Sequence, residues 1–261
     1  MKDLTNTWAL VTGASSGFGI DFAHLLAERG SNLVLVARRI EPMQELAAQL
    51  EHRYAVKVKV LGRDLSTTEA ASELKQTLDA QGIRITTLIN NAGFGLFGEF
   101  LDQALSKTEE MLKLNMFSLT ALTHVFAQDM KQHGGGNILL VASIGAYQAT
   151  PTYAAYSASK AYVLLFGEAL HHELAKHNIK VSVLSPGITA TSFLQVSGQK
   201  ATLYQRMVMM QSKPVAAIGL KALFAGKASV VPGLINKLTI FSNRFASRSI
   251  QTKLAYLLMK N

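Results

Sequence analysis

The sequence predicts a single doubly wound α/β domain, with a seven-stranded parallel sheet and helices on both of its faces. Short β-branched runs alternate with longer segments of helical spacing, which is the pattern of repeated β–α units. Several strand segments are almost continuously apolar, as expected for strands that helices cover on both sides. No linker rich in Pro, Gly or Ser interrupts the alternation, so we expect one domain rather than two.

The strands are predicted in seven segments of the chain. In order they are WALVTG, NLVLVAR, VKVKVLGRD, TTLINNAG, NILLVAS, KVSVLSPG and ASVVPG. Helices are predicted between them in GFGIDFAHLLAERG, EPMQELAAQLEHR, TTEAASELKQTLDAQG, SKTEEMLKLNMFSLTALTHVFAQDMKQHG and YAAYSASKAYVLLFGEALHHELAKHN. Several of these helices end at Gly or Asn with a cation in the last turn, as helix ends prefer. Ligands of such sheets bind beyond the carboxyl ends of the strands, where the strand order reverses.

Composition narrows the class of protein. The 261 residues are 49% hydrophobic and 16% charged, which excludes a mainly disordered chain. The absence of cysteine fits a cytoplasmic location, and we expect neither a signal peptide nor a membrane span. The cations behind the net charge of +9 are spread along the chain, so no nucleic-acid partner is expected. His171 and His172 have no matching carboxylate or cysteine cluster, so no metal is expected.

The first strand runs into a glycine-rich loop, TGASSGFG, that precedes a helix. Gly13, Gly17 and Gly19 form the spacing G-x-x-x-G-x-G, which differs from the usual dinucleotide fingerprint. Glycines at these positions still let the backbone approach a pyrophosphate at the helix N-terminus. A plain glycine-rich turn is the alternative, but the position between strand and helix favours phosphate binding. The loop also contains Ser15, Ser16 and Phe18.

The second strand ends in Arg38 and Arg39, where NAD-binding folds usually place an acidic residue that accepts from the ribose 2′-hydroxyl. Two guanidinium groups suit a 2′-phosphate instead, because both can form charge-assisted hydrogen bonds with it. The alternative is a solvated arginine pair before a helix. Together with the glycine-rich loop, the pair favours NADP(H) as the cofactor.

The ends of the third and fourth strands also carry polar residues. Asp64, which precedes Leu65, is predicted either to cap the next helix or to meet an adenine amino group. Asn91, followed by Ala92 and Gly93, either shapes a turn or borders the ligand. The sequence leaves these alternatives open.

Tyr156 has a cation one helical turn away. Side chains four residues apart lie on one helix face, and of the three tyrosines in this helix only Tyr156 has a lysine, Lys160, at that spacing. The ammonium group is predicted to lower the pKa of the phenol; a lowering of ~3 units corresponds to about 4 kcal/mol. The alternative is a Tyr and a Lys that merely share a solvated face. Ser143 ends the fifth strand and is predicted to project at the same edge of the sheet.

The complete set resembles the classical short-chain dehydrogenase/reductases, which have a Rossmann-type fold. The family's motifs are matched in order by TGASSGFG, NNAG, Asn115 in the fourth helix, Ser143, the YSASK segment from Tyr156 to Lys160, and the pair Pro186 and Gly187. The resemblance covers about residues 6–232. We therefore expect a catalytic domain at residues 1–232, including a variable substrate lid at about 188–213.

The resemblance implies hydride transfer between a nicotinamide cofactor and a carbonyl or alcohol carbon. It implies that Tyr156 is the general acid of the reduction, that Ser143 polarises the same oxygen, and that Lys160 lowers the Tyr156 pKa and binds the nicotinamide ribose. Asn115 would hold a helix bend and a water that links Lys160 to solvent. The implied cofactor site extends to Pro186, Gly187, Ile188 and Thr191.

Apolar stretches around the predicted site indicate an apolar or bulky ketone or aldehyde as substrate. The predicted pocket residues are Phe94, Ser143, Tyr147, Tyr153 and Phe193. In the lid, Met207, Met209 and Met210 predict an adaptable apolar wall or, equally, helix-core packing. Two other functions stay open: reduction of a 3-oxoacyl group on a carrier protein, and sensing of NADP(H) without catalysis.

Residues 233–261 predict a basic amphipathic C-terminal extension. Leu234, Leu238, Phe241 and Phe245 recur at helical spacing. The accompanying cations are Lys237, Arg244, Arg248, Lys253 and Lys260. The extension is predicted to contact an anionic membrane surface, to pack over the substrate pocket, or to pack on another subunit. The family resemblance implies a homodimer or homotetramer.

Overall fold

The computed structural model of the chain describes residues 3–259, so residues 1, 2, 260 and 261 lie outside the described part, and with them the predicted cation Lys260. Strands are β1 (Trp8–Thr12), β2 (Asn32–Ala37), β3 (Val58–Gly62), β4 (Ile85–Asn90), β5 (Gly136–Val141), β6 (Ile179–Leu184), β7 (Thr189–Ala190), β8 (Met210–Gln211) and β9 (Ser229–Val230). Seven of them form one sheet in the order β3-β2-β1-β4-β5-β6-β9, and every neighbouring pair is parallel. The seven predicted strands and their parallel sheet are confirmed.

The helices follow the strands in the predicted alternation. They are α1 (Phe18–Ala27), α2 (Glu41–Tyr54), α3 (Ala70–Asp79), α4 (Leu105–Leu112), α5 (Leu119–Gln132), α6 (Ala154–Ala175), α7 (Phe193–Ser197), α8 (Leu203–Val208), α9 (Ser212–Phe224), α10 (Leu234–Ser242) and α11 (Arg248–Met259). Short 3₁₀ turns lie at Phe100–Asp102 and Ile144–Tyr147. In the described part of the chain, no helix combines the length and the apolar character needed to cross a membrane.

Two apolar layers cover the sheet, one on each face. Successive strand residues point to opposite faces, so Val11 packs in one layer and Leu10 in the other. Phe22 of α1 belongs to the first layer, whereas Phe126 of α5 and Val163 of α6 belong to the second. All five side chains are buried, and each contributes about 1.5–3 kcal/mol by leaving water.

The order of the strands sets the position of the ligand site. β1 lies between β2 and β4, because the chain runs outwards to β3 and then returns to the other side of β1. The loops that follow β1 and β4 therefore diverge at the carboxyl edge of the sheet. This is the point at which doubly wound sheets bind their ligands.

The structure differs from the predicted elements in three places. The predicted fourth helix is interrupted by a π-helical segment, Lys113–Ser118, between α4 and α5. The C-terminal extension, predicted as one amphipathic helix, is two helices, α10 and α11. The lid contains α7, α8 and the short parallel pair of β7 and β8, none of which the sequence pattern predicts.

Candidate active site

A cavity of about 880 Å³ lies at the carboxyl edge of the sheet and extends between the lid and the C-terminal helices. Its volume is typical of sites for cofactors and small substrates. Most predicted site residues line it: Gly13, Ser15, Ser16, Gly17, Phe18, Arg38, Arg39, Asp64, Leu65, Asn91, Ala92, Gly93, Phe94, Ser143, Tyr153, Tyr156, Lys160, Pro186, Gly187, Ile188, Thr191 and Phe193. Gly19, Asn115 and Tyr147 do not line it.

The glycine-rich loop is held close to the end of β4. Gly13 has φ +67°, and a Cβ there would lie 2.9 Å from Asn91 Nδ2 and 3.0 Å from Ala92 Cα. Thr12 Oγ1 accepts hydrogen bonds from the backbone N–H groups of Asn91 and Ala92, both at 2.9 Å. Asn91 Nδ2 donates to Thr12 O at 2.8 Å. Asn91 thus joins β1 to β4, and it borders the cavity as well.

Gly19 has a packing role rather than the predicted contact with the ligand. A Cβ at Gly19 would lie 2.2 Å from Gly13 O, so only glycine fits where α1 crosses the turn. Gly17 is the N-cap residue of α1, and no side chain caps the first N–H groups of this ten-residue helix. Because helix N-termini attract anions, the border of the cavity formed by Gly17 and Phe18 suits a phosphate group.

Arg38 and Arg39 both border the cavity but have different partners. Arg38 Nη1 forms an ion pair with Glu110 Oε1 at 2.9 Å, and the side chain of Arg38 is 62% exposed. Arg39 Nη2 donates to Ser15 O and to Ser15 Oγ, both at 3.4 Å, so it reaches over the glycine-rich loop. A guanidinium group has five N–H donors, so both arginines keep donors that can bind a phosphate group at this border of the cavity.

Asp64 does not cap the next helix as one of its two predicted roles required, because the N-cap residue of α3 is Glu69. Asp64 Oδ1 accepts from Ser66 N at 2.9 Å and from Ser66 Oγ at 2.8 Å, which fixes the loop after β3. The hydrogen bond from the Ser66 backbone is the main reason why the pKa of Asp64 is lowered, and the charge of Arg38 adds to it. The residue also borders the cavity. The carboxylate therefore stays ionised at neutral pH.

Tyr156 and Ser143 meet at the centre of the cavity. Tyr156 lies in the first turn of α6, and a hydrogen bond joins its side chain to that of Ser143. Ser143 is placed by the end of β5 and accepts at Oγ from Gly145 N at 3.1 Å. A carbonyl oxygen between the two hydroxyl groups would meet two hydrogen-bond donors, which is the arrangement that stabilises a developing alkoxide.

Lys160 is buried and does not act on Tyr156 as predicted. Its Nζ donates to Val141 O at 2.8 Å and lies 5.8 Å from the centroid of the Tyr156 ring. Burial lowers the pKa of Lys160 to about 8. Burial also raises the pKa of the Tyr156 phenol, and the hydrogen bond with Ser143 opposes that rise. The prediction that Lys160 lowers the pKa of Tyr156 is therefore wrong for this structure, because desolvation outweighs the effect of spacing.

Asn115 lies behind the cavity wall, in the π-helical segment, where the resemblance implied a helix bend. Its Nδ2 donates to Phe94 O at 2.9 Å and to Ser159 Oγ at 3.1 Å, and its Oδ1 accepts from Phe94 N at 3.2 Å. Asn115 therefore joins the loop after β4 to α6. A Cβ on Gly93 would lie 2.7 Å from Asn115 Oδ1, so the glycine permits this contact.

Aromatic rings surround Tyr156 at the substrate end. The Tyr156 ring lies 5.6 Å from that of Tyr153 and 5.2 Å from that of Phe193 of the lid, measured between centroids. Tyr147, predicted in the same pocket, packs instead against the apolar layer that contains α5 and α6. The reason is the 3₁₀ turn at Ile144–Tyr147, after which Gln148 borders the cavity in its place.

The lid closes on the C-terminal extension through a buried polar network that the sequence did not predict. The Tyr153 hydroxyl lies 2.9 Å from Ser197 Oγ and donates to Gln199 Oε1 at 2.9 Å. Gln205 Nε2 donates to the same oxygen at 3.0 Å, and Gln199 Nε2 donates to Met259 O at 2.9 Å. Burial raises the pKa of Tyr153 to about 12, so its hydroxyl stays protonated.

The methionine that borders the cavity belongs to α11 and not to the lid. Met259 borders the cavity, as do Thr239 and Ile240 of α10. The extension therefore packs over the pocket, which was one of the three alternatives that the sequence left open. Met207, Met209 and Met210 do not border it, and Met207 is 70% exposed. The predicted apolar wall of lid methionines is therefore wrong.

Comparison with known proteins agrees with this geometry. The family described as short chain dehydrogenase matches residues 7–202. The chain therefore belongs to the short-chain dehydrogenase/reductase family and is an oxidoreductase that acts on CH–OH or carbonyl groups. Enzymes of this family bind NAD(P).

Two curated relatives are named for a hydroxysteroid and for a very-long-chain 3-oxoacyl-CoA. The mouse (Mus musculus) 17-beta-hydroxysteroid dehydrogenase type 3 is 27% identical over 258 residues, which are 97% of this chain and 84% of that protein. The very-long-chain 3-oxoacyl-CoA reductase of Phaeosphaeria nodorum is 32% identical over 196 residues, which are 73% of this chain but only 57% of the fungal protein.

Solved structures are similar along nearly the whole chain. A short-chain dehydrogenase from Sphingobium yanoikuyae in complex with NADPH is 30% identical, with a TM-score of 0.82 over 92% of this chain and 93% of the other. The bulky-bulky ketone specific alcohol dehydrogenase from Comamonas testosteroni is 28% identical, with a TM-score of 0.78 over 94% of both chains.

The residues of the cavity fit a dinucleotide. The glycine-rich loop leaves no room for a Cβ at Gly13, and the N-terminus of α1 lies beside it without a side-chain cap. Apart from Lys160, the charged residues that border the cavity lie at the end formed by β2, β3 and α4. One end of the cavity is thus suited to a charged, phosphate-bearing molecule and the other to an apolar one.

Proposed function

We propose that this enzyme reduces a bulky, apolar ketone or aldehyde to an alcohol with NADPH. The observation that carries the proposal is the substrate end of the cavity, bordered by Phe94, Tyr153, Phe193, Ile240 and Met259. Among the described residues, none that borders this end carries a charge except Lys160. A charged substrate would lose its hydration there without gaining an ion-pair partner.

NADP(H) is supported over NAD(H) by the arginines after β2. The 2′-phosphate of the cofactor would lie at Arg38 and Arg39, and its pyrophosphate at Gly17 and the N-terminus of α1. Arg39 supports this assignment most strongly, because it already reaches over the glycine-rich loop to Ser15. The NADPH complex of the Sphingobium relative is consistent with the same choice.

In the proposed reaction, Tyr156 and the residues around it supply the proton for the carbonyl oxygen. Bound NADPH supplies the hydride for the carbonyl carbon. Tyr156 donates its proton to the carbonyl oxygen, and Ser143 donates a hydrogen bond to the same oxygen. Because burial raises the pKa of Tyr156, the phenol carries its proton at neutral pH, as a reduction requires. Lys160 would hold the ribose of the cofactor, and Thr191 would contact its amide or pyrophosphate.

Reduction of a 3-oxoacyl thioester is the second candidate function. The similarity to very-long-chain 3-oxoacyl-CoA reductases favours it, because the long acyl chain of such a substrate would also suit the apolar end of the cavity. A carrier protein or coenzyme A would then remain outside the cavity. Sensing of NADP(H) without turnover is disfavoured by the intact set of Ser143, Tyr156 and Lys160.

A panel of carbonyl compounds tests the proposed substrate class. With NADPH in excess, we expect kcat/KM to rise with apolar bulk, from small ketones to steroid-sized ones, and to be lowest for charged sugars and keto acids. The measurement is the loss of NADPH absorbance, with NADH as the parallel cofactor. Turnover restricted to small charged compounds would contradict the proposal, and a preference for 3-oxoacyl thioesters would select the second candidate.

Assembly and location form a further part of the proposal. We infer a cytoplasmic homodimer or homotetramer with peripheral membrane contact. Exposed Phe117 in the π-helical segment and Leu165 in α6 support assembly, because a second subunit would bury both. Members of the family are often oligomeric.

A further inference from the structure

Charge is divided unevenly between two parts of the chain. Glu173 is the last acidic residue, so residues 174–261 carry 12 Lys and Arg and neither Asp nor Glu. Residues 1–173 carry 14 Lys and Arg against 17 Asp and Glu. The net charge of +9 thus combines −3 in the first part with +12 in the second. The lid and the C-terminal helices belong to the strongly basic part.

The same segments expose large apolar side chains. In α10 and the turn after it, Leu234 is 72% exposed and Phe245 is 78% exposed. In the lid, Leu203 is 75% exposed and Met207 is 70% exposed. α11 adds further exposed side chains, Ile250, Leu254 and Leu257. Exposed apolar side chains in this number, interspersed with cations, are characteristic of an interaction surface.

The lid, α10 and α11 are joined around the opening of the cavity. Gln251 Nε2 of α11 donates to Asn243 O at 2.7 Å, and Gln199 Nε2 of the lid donates to Met259 O at 2.9 Å. Val196 of the lid borders the cavity and is 58% exposed, so the cavity reaches the surface at the lid. We call the exposed residues of α8, α10, α11 and the turn between α10 and α11 the basic apolar surface.

We propose that the basic apolar surface docks on an anionic lipid bilayer. Its apolar side chains would enter the boundary of the acyl chains, while Lys237, Arg244, Arg248 and Lys253 would meet lipid phosphates. All four cations are exposed, and none of them forms an ion pair within residues 3–259. This docking specifies, and rests on, the peripheral membrane contact proposed above, but it does not depend on the proposed reaction.

Charge disfavours a second copy of the chain on this surface, and the exposed apolar side chains disfavour nucleic acid. A second copy of the chain, related by a two-fold axis, would place the same cations of both copies against each other without acidic partners. Nucleic acid would satisfy the cations but would leave Leu234, Phe245 and Leu203 in contact with water. An anionic bilayer satisfies both the charges and the apolar side chains.

Vesicle sedimentation of the full-length protein tests the proposal. We expect the wild type to pellet with vesicles of phosphatidylcholine and phosphatidylglycerol, and far less with phosphatidylcholine alone or at high salt. The double variants Lys237→Glu with Arg248→Glu, and Leu234→Ser with Phe245→Ser, should each bind at least about ten-fold more weakly. The matched control is Arg84→Glu with Leu101→Ser, which changes an exposed cation and a side chain that is 93% exposed elsewhere on the molecule.

The outcomes separate the docking surface from the other interpretations. Equal vesicle binding by both double variants and the control would overturn the proposal, as would failure of the wild type to bind. If the wild type is a dimer that does not bind vesicles, and the double variant Leu234→Ser with Phe245→Ser is a monomer, the surface belongs to a second copy of the chain. Wild-type far-UV circular dichroism and an unchanged midpoint of thermal unfolding in all variants would show that they fold. Loss of docking therefore does not depend on the outcome for the proposed reaction.

Discussion

Replacement of Tyr156 by phenylalanine lowers kcat for ketone reduction by about 10³-fold, if the hydroxyl is the proton donor. The variant removes one oxygen and keeps the ring that packs against Tyr153 and Phe193. A loss of this size corresponds to about 4 kcal/mol of transition-state stabilisation. Steady-state kinetics should show the loss in kcat, whereas NADPH binding, measured by fluorescence titration, should change little.

Tyr162→Phe is the matched control for this variant. Tyr162 lies on the same helix, and its hydroxyl group pairs with Thr120 Oγ1 at 2.7 Å outside the cavity. We expect its kcat to stay within about two-fold of the wild type, because this half-buried tyrosine does not border the cavity. Wild-type turnover by Tyr156→Phe would contradict the assignment of the general acid.

Removal of both arginines after β2 should change the choice of cofactor. We expect the double variant Arg38→Ala with Arg39→Ala to raise KM for NADPH by about 10²-fold and KM for NADH only slightly. Hydrogen bonds to charged groups contribute about 1.5–3 kcal/mol each, so the loss of two exposed ones is consistent with this ratio. Arg39→Ala alone should raise KM for NADPH more than Arg38→Ala alone does, because Glu110 already neutralises part of the charge of Arg38.

The arginine prediction is checked by measuring KM for both cofactors with one ketone. Arg53→Ala is the control, since Arg53 is an exposed cation of α2 that does not border the cavity. An equal rise of KM for NADPH and NADH in the double variant would contradict the 2′-phosphate site. Loss of stability is an unsuitable explanation for a change in the ratio, because the same protein is measured with both cofactors.

The sequence was sufficient to predict the parallel sheet and most of the site residues at its carboxyl edge. Apolar runs of strand length are local, and the glycine-rich loop, Ser143, Tyr156 and Lys160 all follow from their positions at the ends of strands or at helical spacing. The π-helical segment was not predictable in this way. Asn115 is held there by Phe94 and Ser159, which are distant in the chain.

Burial is the second kind of information that the sequence lacks. Spacing places Lys160 one turn from Tyr156, but only the structure shows that Lys160 is buried and Tyr156 half-buried. Desolvation then raises the pKa of Tyr156 instead of lowering it. The contact of Gln199 with Met259 joins residues 60 positions apart and has no local pattern. For the same reason the wall of the cavity was assigned to lid methionines instead of the end of α11.

A crystal structure of the wild type with NADP⁺ and the alcohol product of its best ketone tests the central claim most directly. The claim is that one phenol, paired with a serine hydroxyl, gives its proton to the carbonyl oxygen. It predicts that the alcohol oxygen lies within about 3.2 Å of both Tyr156 Oη and Ser143 Oγ. An alcohol oxygen bound beyond hydrogen-bond reach of Tyr156, with its carbon next to the nicotinamide, would contradict it.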